Sequence, residues 1–311
     1  MKRYIAKRLI QIIPVILGVV FIIFFIMNLT PSSPGAAILG PQATDEEIAA
    51  YDASLGYDKP FVYRFGKYVV DMVQGDLGTS YAYKTSVTEL VFSRLGVTVL
   101  LAFGAICVAA FLGIILGVFS AVKQYSMFDR IVTFVAMALA AIPSFWLAML
   151  MIYYIGLKLQ WLPAFGTDSL KHFIMPSVSL GLPYAASILR YTRSSMLDCI
   201  RQDYVDTAKS KGLPNQIVIW KHAFLNAVLP VITVTGTTFG TLIGGAVVNE
   251  QLYGISGVGT LLVAAIKSRD VPLVCGSVVI LATIFSLVVL AIDLLHAFID
   301  PRVRARYSSK G

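Results

Sequence analysis

Residues 203–230 read DYVDTAKSKGLPNQIVIWKHAFLNAVLP, a polar island flanked by long apolar segments, and its reading decides the fold. Asp203 and Asp206 fall in a first helical turn, where the positive end of the helix dipole favours carboxylates. Lys209 and Lys211 fall in the last turn, where cations are favoured. Gly212 suits the left-handed residue that ends a helix, and Pro214 the first position of a new one. The segment is expected to be a helix, a sharp turn and a second helix, held at a membrane face and presenting a knob to the water.

Working outward, composition sets the surroundings. Of 311 residues 57% are hydrophobic and 14% charged, with a mean hydropathy of +0.78. A soluble domain carries roughly 25% charged residues, so the chain reads as a polytopic membrane protein. The net charge of +8 is interleaved with the apolar segments. That pattern fits positive-inside topology, not a basic face for nucleic acid. Cys107, Cys199 and Cys275 lie far apart in apolar surroundings and read as packing residues. His172, His222 and His296 lack ligand spacing, so no metal site is expected.

Six spans emerge, at 9–29, 97–121, 131–157, 174–197, 227–248 and 271–299; about 20 apolar residues suffice for a crossing. The N-terminal residues 1–8 carry Lys2, Arg3, Lys7 and Arg8, which hold that end inside. The first run is long for a signal-peptide core and no small-residue cleavage site follows, so an uncleaved span is expected. Region 30–96 opens with Pro31, Ser32, Ser33, Pro34 and Gly35, and has eight acidic and five basic residues, the reverse of the N-terminal bias, which places it outside. Its aromatics, Phe61, Tyr63, Phe65 and Tyr68 among them, lie on the membrane surface or pack over the spans. Gly104, Gly113 and Gly117 permit close helix contact in the second span, and Pro143 is expected to kink the third. In the fourth, Arg190 and Arg193 either snorkel to the inner interface or face a path or gate. The Thr- and Gly-rich fifth span packs tightly or lines a polar passage. Region 201–226 and the basic tail 300–311 are inside, and 249–270 is an outer loop. Glu250 and Tyr253, at the outer end of the fifth span, are candidates for an outer gate or a contact with an external protein. Asp293 and His296 sit near the inner end of the sixth span.

What is missing matters as much. There is no G-x-x-x-x-G-K-[ST] loop for ATP, and no H-E-x-x-H, G-x-S-x-G or C-x-x-C. A secondary carrier or a membrane enzyme stays as an alternative, without mid-membrane carboxylates or a motif to recommend it.

The island resembles the cytoplasmic EAA loop of importer permeases of the ABC transporter class. Asp206-Thr207-Ala208, three residues and Gly212 occupy the Glu-Ala-Ala-x-x-x-Gly positions, and Leu229-Pro230 matches the closing pair. Asp replaces Glu, Thr replaces the first Ala, and the distance to Leu229-Pro230 is longer than in the general motif. YVDTAKSKGL with HAFLNAVLPVIT is similar to the dipeptide and oligopeptide branch. The likeness extends through YIAKRLIQIIPVILGV, LGYDKP, QGDLGTS, LYGISGVGTLLVAAIKSRDVPLV and IDPRVR, while the early PSSPG departs from Pro-Gly-Asp-Pro.

The resemblance implies an all-α permease of the type I importer architecture, multi-pass in a prokaryotic cell membrane with both termini cytoplasmic. It implies a second homologous permease subunit, two ATP-binding subunits and an extracytoplasmic peptide-binding protein. It implies no catalysis and no cofactor on this chain; ATP and magnesium belong to the partner subunits. Asp206, Thr207, Ala208, Gly212 and Leu213 are then expected to couple to the ATPase. The implied cargo is a di- or oligopeptide, with nickel chelates, an oligosaccharide or another peptide-like solute as alternatives. No residue is marked as a peptide ligand.

Overall fold

The computed structural model describes residues 2–29 and 33–299. The described residues are helical, and β pairing among them is limited to one antiparallel bridge between Thr79 and Ser86. In chain order the helices are α1 (Lys2–Leu29), α2 (Pro34–Leu39), α3 (Asp45–Ser54), α4 (Phe61–Val73), α5 (Val87–Val122), α6 (Met127–Ala141) and α7 (Ser144–Lys158). There follow α8 (Ile174–Ile200), α9 (Asp203–Ser210), α10 (Asn215–Gly245), α11 (Val247–Leu252), α12 (Val258–Lys267) and α13 (Val271–Ile299). Five helices are long and apolar enough to cross a membrane, within α1, α5, α8, α10 and α13, and the bent pair α6–α7 makes a sixth span if counted as one. Large apolar side chains point outward along them, with Ile10 64%, Phe111 66% and Phe134 70% exposed. Such a surface is unsuited to water and suited to lipid.

The helices depart from the expected spans at several places. The second begins at Val87, not 97, because Val87 and Val91 are buried in a core with Leu77 and Val258 that keeps the polar first turns helical. The third is not kinked but broken, with α6 and α7 meeting at 94°. Pro143 has no N–H to donate and forces the preceding Ile142 into extended backbone (φ −83°, ψ 124°). The fifth starts at Asn215, twelve residues before 227, so the interhelical loop shrinks to the surroundings of α9; it ends at Gly245, short of 248. Region 30–96 holds α2, α3, α4 and the start of α5, and region 249–270 holds the end of α11 and α12. The tail 300–311, Pro31 and Ser32 lie outside the described residues, as do the side chains of Lys2, Arg3, Lys7 and His296.

The described residues divide into two compact units. The first contains residues up to Thr98 with Ser256–Leu287. Its α3 starts with a capping box between Thr44 and Glu47. Its α4 lays Phe61, Phe65 and Tyr68 on Phe24 of α1, with ring centroids 5.6–6.0 Å apart, so these aromatics pack over a span. Buried Asp270 accepts from Ser80 Oγ (2.5 Å), Ala82 N (3.0 Å) and, as a cap of α13, Leu273 N (3.2 Å).

The second unit contains Val99–Ile255 and the residues from Val288 onward. Its centre is α8, the least apolar span, which packs against α6, α7 and α10. The small residues that dilute its hydropathy, Ser177, Ser179, Gly181, Ala185 and Ala186, are buried. A Cβ on Gly113 would stand 2.7 Å from Ile188 Cβ, and one on Gly117 2.7 Å from Thr192 Cβ; Gly181 likewise abuts the Ala105 carbonyl. Glycines therefore set the α5–α8 separation, since backbones approach this closely only without a side chain between them.

Candidate functional site

The site is built where α8 ends. Gln202 precedes α9 in extended conformation, and Asp203 and Asp206 lie in its first turn as dipole chemistry requires. Asp206 pairs with Lys209 at 3.0 Å, both side chains well exposed, a contact worth little stability. Lys211 is the C-cap rather than a last-turn residue. Gly212 turns left-handed with φ +76°, and Leu213 N reaches back to Ala208 O at 3.4 Å, the reversal that ends a helix. Pro214 precedes Asn215 as its N-cap, one place before the expected first helical position. Between Val218 and Phe224 the new helix widens into a π turn before continuing as α10.

Two faces of α9 have different partners. Val205 (1% exposed) and Ala208 (5%) are buried in one cluster with Val118 and Ala121 of α5, Met196 of α8, and Val218, Ala223 and Ala227 of α10. Leu213 packs against the same cluster. Asp203, Asp206, Thr207, Lys209, Ser210, Lys211 and Gly212 are exposed. Thus of the residues read as a docking set, Asp206, Thr207 and Gly212 face outward, while Ala208 and Leu213 face the chain's own helices. Ser195 Oγ of α8 also donates to Ala227 O of α10 at 2.8 Å. The knob is rigidly attached to three spans.

Beside this cluster lies a charge centre that the sequence reading missed. Asp129, 4% exposed in the first turn of α6, accepts from Arg193 Nε and Nη2 of α8, both at 2.8 Å. Ser120 Oγ of α5 donates to it as well, as do Tyr125 N (2.9 Å) and Thr133 Oγ1 (3.5 Å). Ser126 caps α6, its Oγ accepting from Asp129 N at 3.2 Å. Arg193 closes a two-bond ion pair, the geometry in which a guanidinium is most discriminating. Arg190 is exposed. The signal available for Asp129 was the Ser126-x-x-Asp129 cap pattern in an otherwise basic loop.

Glu250 and Tyr253, read as an outer gate or an external-protein contact, are fully buried, at 0% and 1% exposure. The Tyr253 hydroxyl lies 3.4 Å from both Ala148 O and Ser179 Oγ, and its carbonyl accepts from Gly166 N at 3.1 Å. These bonds tie α11 to α7, α8 and the loop between them.

This arrangement of spans around a short extramembrane helix has a counterpart among solved structures. The methionine ABC transporter MetNI, in inward-facing conformations, contains a chain matched over 97% of its length and 68% of this one, with a TM-score of 0.60 at 17% identity. The fold is that of a type I ABC importer permease. Residues 113–305 match the family described as binding-protein-dependent transport system inner membrane component, and residues 1–102 match its N-terminal counterpart. The chain belongs to that family and is a multi-pass permease subunit of a binding-protein-dependent ABC importer. Its relatives include the dipeptide transport system permease protein DppB of Alkalihalophilus pseudofirmus, 37% identical across 98% of this chain and 100% of that one. The glutathione transport system permease protein GsiC is 36% identical in Salmonella paratyphi A and 35% in Escherichia coli K12, each across 98% of this chain and 99% of the relative.

Proposed function

We propose that this subunit forms half of the path of an ATP-driven importer of short peptides, and that α9 is the helix through which ATPase subunits drive it. The observation that carries the coupling role is the division of α9 into a polar outward face and a buried inward face packed on α5, α8 and α10. A partner pressing on the outward face would move those helices as a body, because packed interfaces shift as units. The cargo assignment draws on the relatives, whose names specify dipeptide and glutathione, itself a peptide.

In this reading α9 and both termini are cytoplasmic, as the Lys and Arg distribution favours. A second permease completes the path, two ATP-binding subunits hold ATP and magnesium, and an external binding protein delivers the peptide. The test is reconstitution of the whole complex in vesicles with a labelled dipeptide supplied on its binding protein. Uptake that needs ATP and stops with Asp206→Lys, while the complex still assembles, supports the reading. Uptake that follows a proton gradient without ATP overturns it.

A further inference from the structure

In the first unit α4, the loop from Asp76 to Lys84 and the start of α13 enclose a cavity of about 480 Å³, within the usual range for small-molecule sites, roughly 300–1,000 Å³. Its walls are aromatic, with Phe24, Tyr57, Tyr63, Tyr68 and Tyr81 among them. Arg64 of α4 lines it too, its guanidinium 4.3 Å from the Tyr57 ring centre. The Nε and Nη1 atoms of Arg64 are buried and make no hydrogen bond, and the Tyr68 hydroxyl is in the same condition. Buried donors of this kind are normally satisfied, so three orphans at one cavity call for a missing acceptor.

The neighbouring charges do not supply it. Asp270 is taken up by Ser80, Ala82 and Leu273, and Asp52 accepts from Gly35 N at 2.8 Å. Asp76 accepts from Gly78 N at 2.8 Å. Asp71 follows Arg64 by seven residues on α4, about 10 Å along the axis, and among the described residues no acid forms an ion pair with Arg64. Of the other cations at the cavity, Lys59 is paired with Asp58 at 2.9 Å, Lys84 bonds Tyr51, and Lys67 of α4 adds a further positive charge to the lining. Burial pushes the Tyr57 phenol up to about 12 and raises those of Tyr68 and Tyr81, so all three remain neutral hydroxyls at neutral pH.

We propose that this cavity is a binding site for a small organic carboxylate with an aromatic or apolar body. One of its oxygens would meet an unpaired Arg64 N–H and the other the Tyr68 hydroxyl, and its body would lie between the tyrosine rings. A carboxylate has two accepting oxygens, so it can take a bond from the guanidinium and one from the phenol at once. The proposal is independent of what the importer carries.

The probe is N-acetyl-L-phenylalanine, titrated into the full-length chain in lipid nanodiscs by calorimetry and saturation-transfer NMR, beside its primary amide and inorganic phosphate. The acid is expected to bind with millimolar affinity or better, and the amide at least tenfold more weakly, since about 1.4 kcal/mol separates each tenfold step. Arg64→Gln is expected to weaken the acid by roughly tenfold or more and Tyr68→Phe by about threefold, with the amide unaffected by either. Tyr68→Phe keeps the ring, so it reports on the site even if Arg64→Gln alters the fold. Equal binding of acid and amide, undiminished binding by both variants, or no binding of the acid up to about 10 mM would overturn the proposal. Phosphate competing as well as the acid would overturn the carboxylate assignment.

Discussion

Asp129 and Arg193 stand 64 residues apart in sequence and are joined by two parallel hydrogen bonds of 2.8 Å, with Ser120 completing the carboxylate's shell. One ion pair thereby binds α5, α6 and α8 together at the end where α9 is mounted. Val118 and Ala121, which flank Ser120, form part of the bed on which Val205 and Ala208 rest. The charge centre and the knob share one stretch of α5.

Removing one partner of that pair should be costly. Asp129→Asn leaves Arg193 opposite a neutral amide with its side chain only 25% exposed, and a loss of about 2–3 kcal/mol is expected, below the ~3–5 kcal/mol of a fully buried pair. Thermal unfolding of the purified chain in detergent measures it. Arg193→Lys, which cannot form the two-bond fork, should fall between native and Asp129→Asn. The double variant Asp129→Asn/Arg193→Gln should recover part of the loss, because no unpaired charge remains. Native-like melting of Asp129→Asn would show that the pair does not hold these helices.

The two faces of α9 should fail differently. Ala208→Glu forces a carboxylate among Val118, Met196 and Ala223, so α9 should detach and both thermal stability and transport should drop. Asp206→Ala changes an exposed position and should leave melting within about 0.5 kcal/mol of native while lowering peptide-stimulated ATP hydrolysis in the reconstituted complex. Equal losses of stability in the two variants would contradict the division of faces.

Gly212 offers a cleaner case. Its φ is +76° and a Cβ there would meet nothing within 4 Å, so substitution carries only a conformational cost. Gly212→Ala should destabilise by about 1 kcal/mol and Gly212→Asn by less, since asparagine tolerates the left-handed region. Chemical denaturation of the full chain reads the order Gly, Asn, Ala. Alanine as stable as glycine would mean that α9 ends differently.

At Gly181 the cost is steric instead. A methyl group there would press on the Ala105 carbonyl of α5, which is backbone and has no rotamer to change. Gly181→Ala should therefore cost about 1–3 kcal/mol and shift α5 away from α8, visible as a longer spin-label distance between the two helices. An unchanged distance and melting point would mean that the contact relaxes without effect.

Much of this protein was legible along the chain because its determinants are local. Runs of about 20 apolar residues imply spans whatever their neighbours, and the dipole-matched charges of Asp203, Asp206 and Lys209, with Gly212 after them, specify a capped helix from within ten residues. Pro143 announced a disturbance, yet its size, 94°, depends on where α6 and α7 find packing on α8. A new helix after Pro214 was legible too, but not that it runs on into the fifth span, because NQIVIWKHAF is too polar to read as part of a span; the burial of Val218 and Ala223 in one cluster with Val205 and Ala208 of α9 accompanies that continuation.

The sequence by itself determined the all-helical membrane fold, the position of the knob and the family, since periodicity, hydropathy and motif order are properties of the chain. Only the tertiary structure decided which way each residue faces. It turned Ala208 inward and Asp206 outward, closed Arg193 onto a carboxylate 64 residues away, and buried Glu250 and Tyr253. The physical reason is that burial and ion pairing depend on distances between segments remote in sequence, and those distances exist only once the helices have packed.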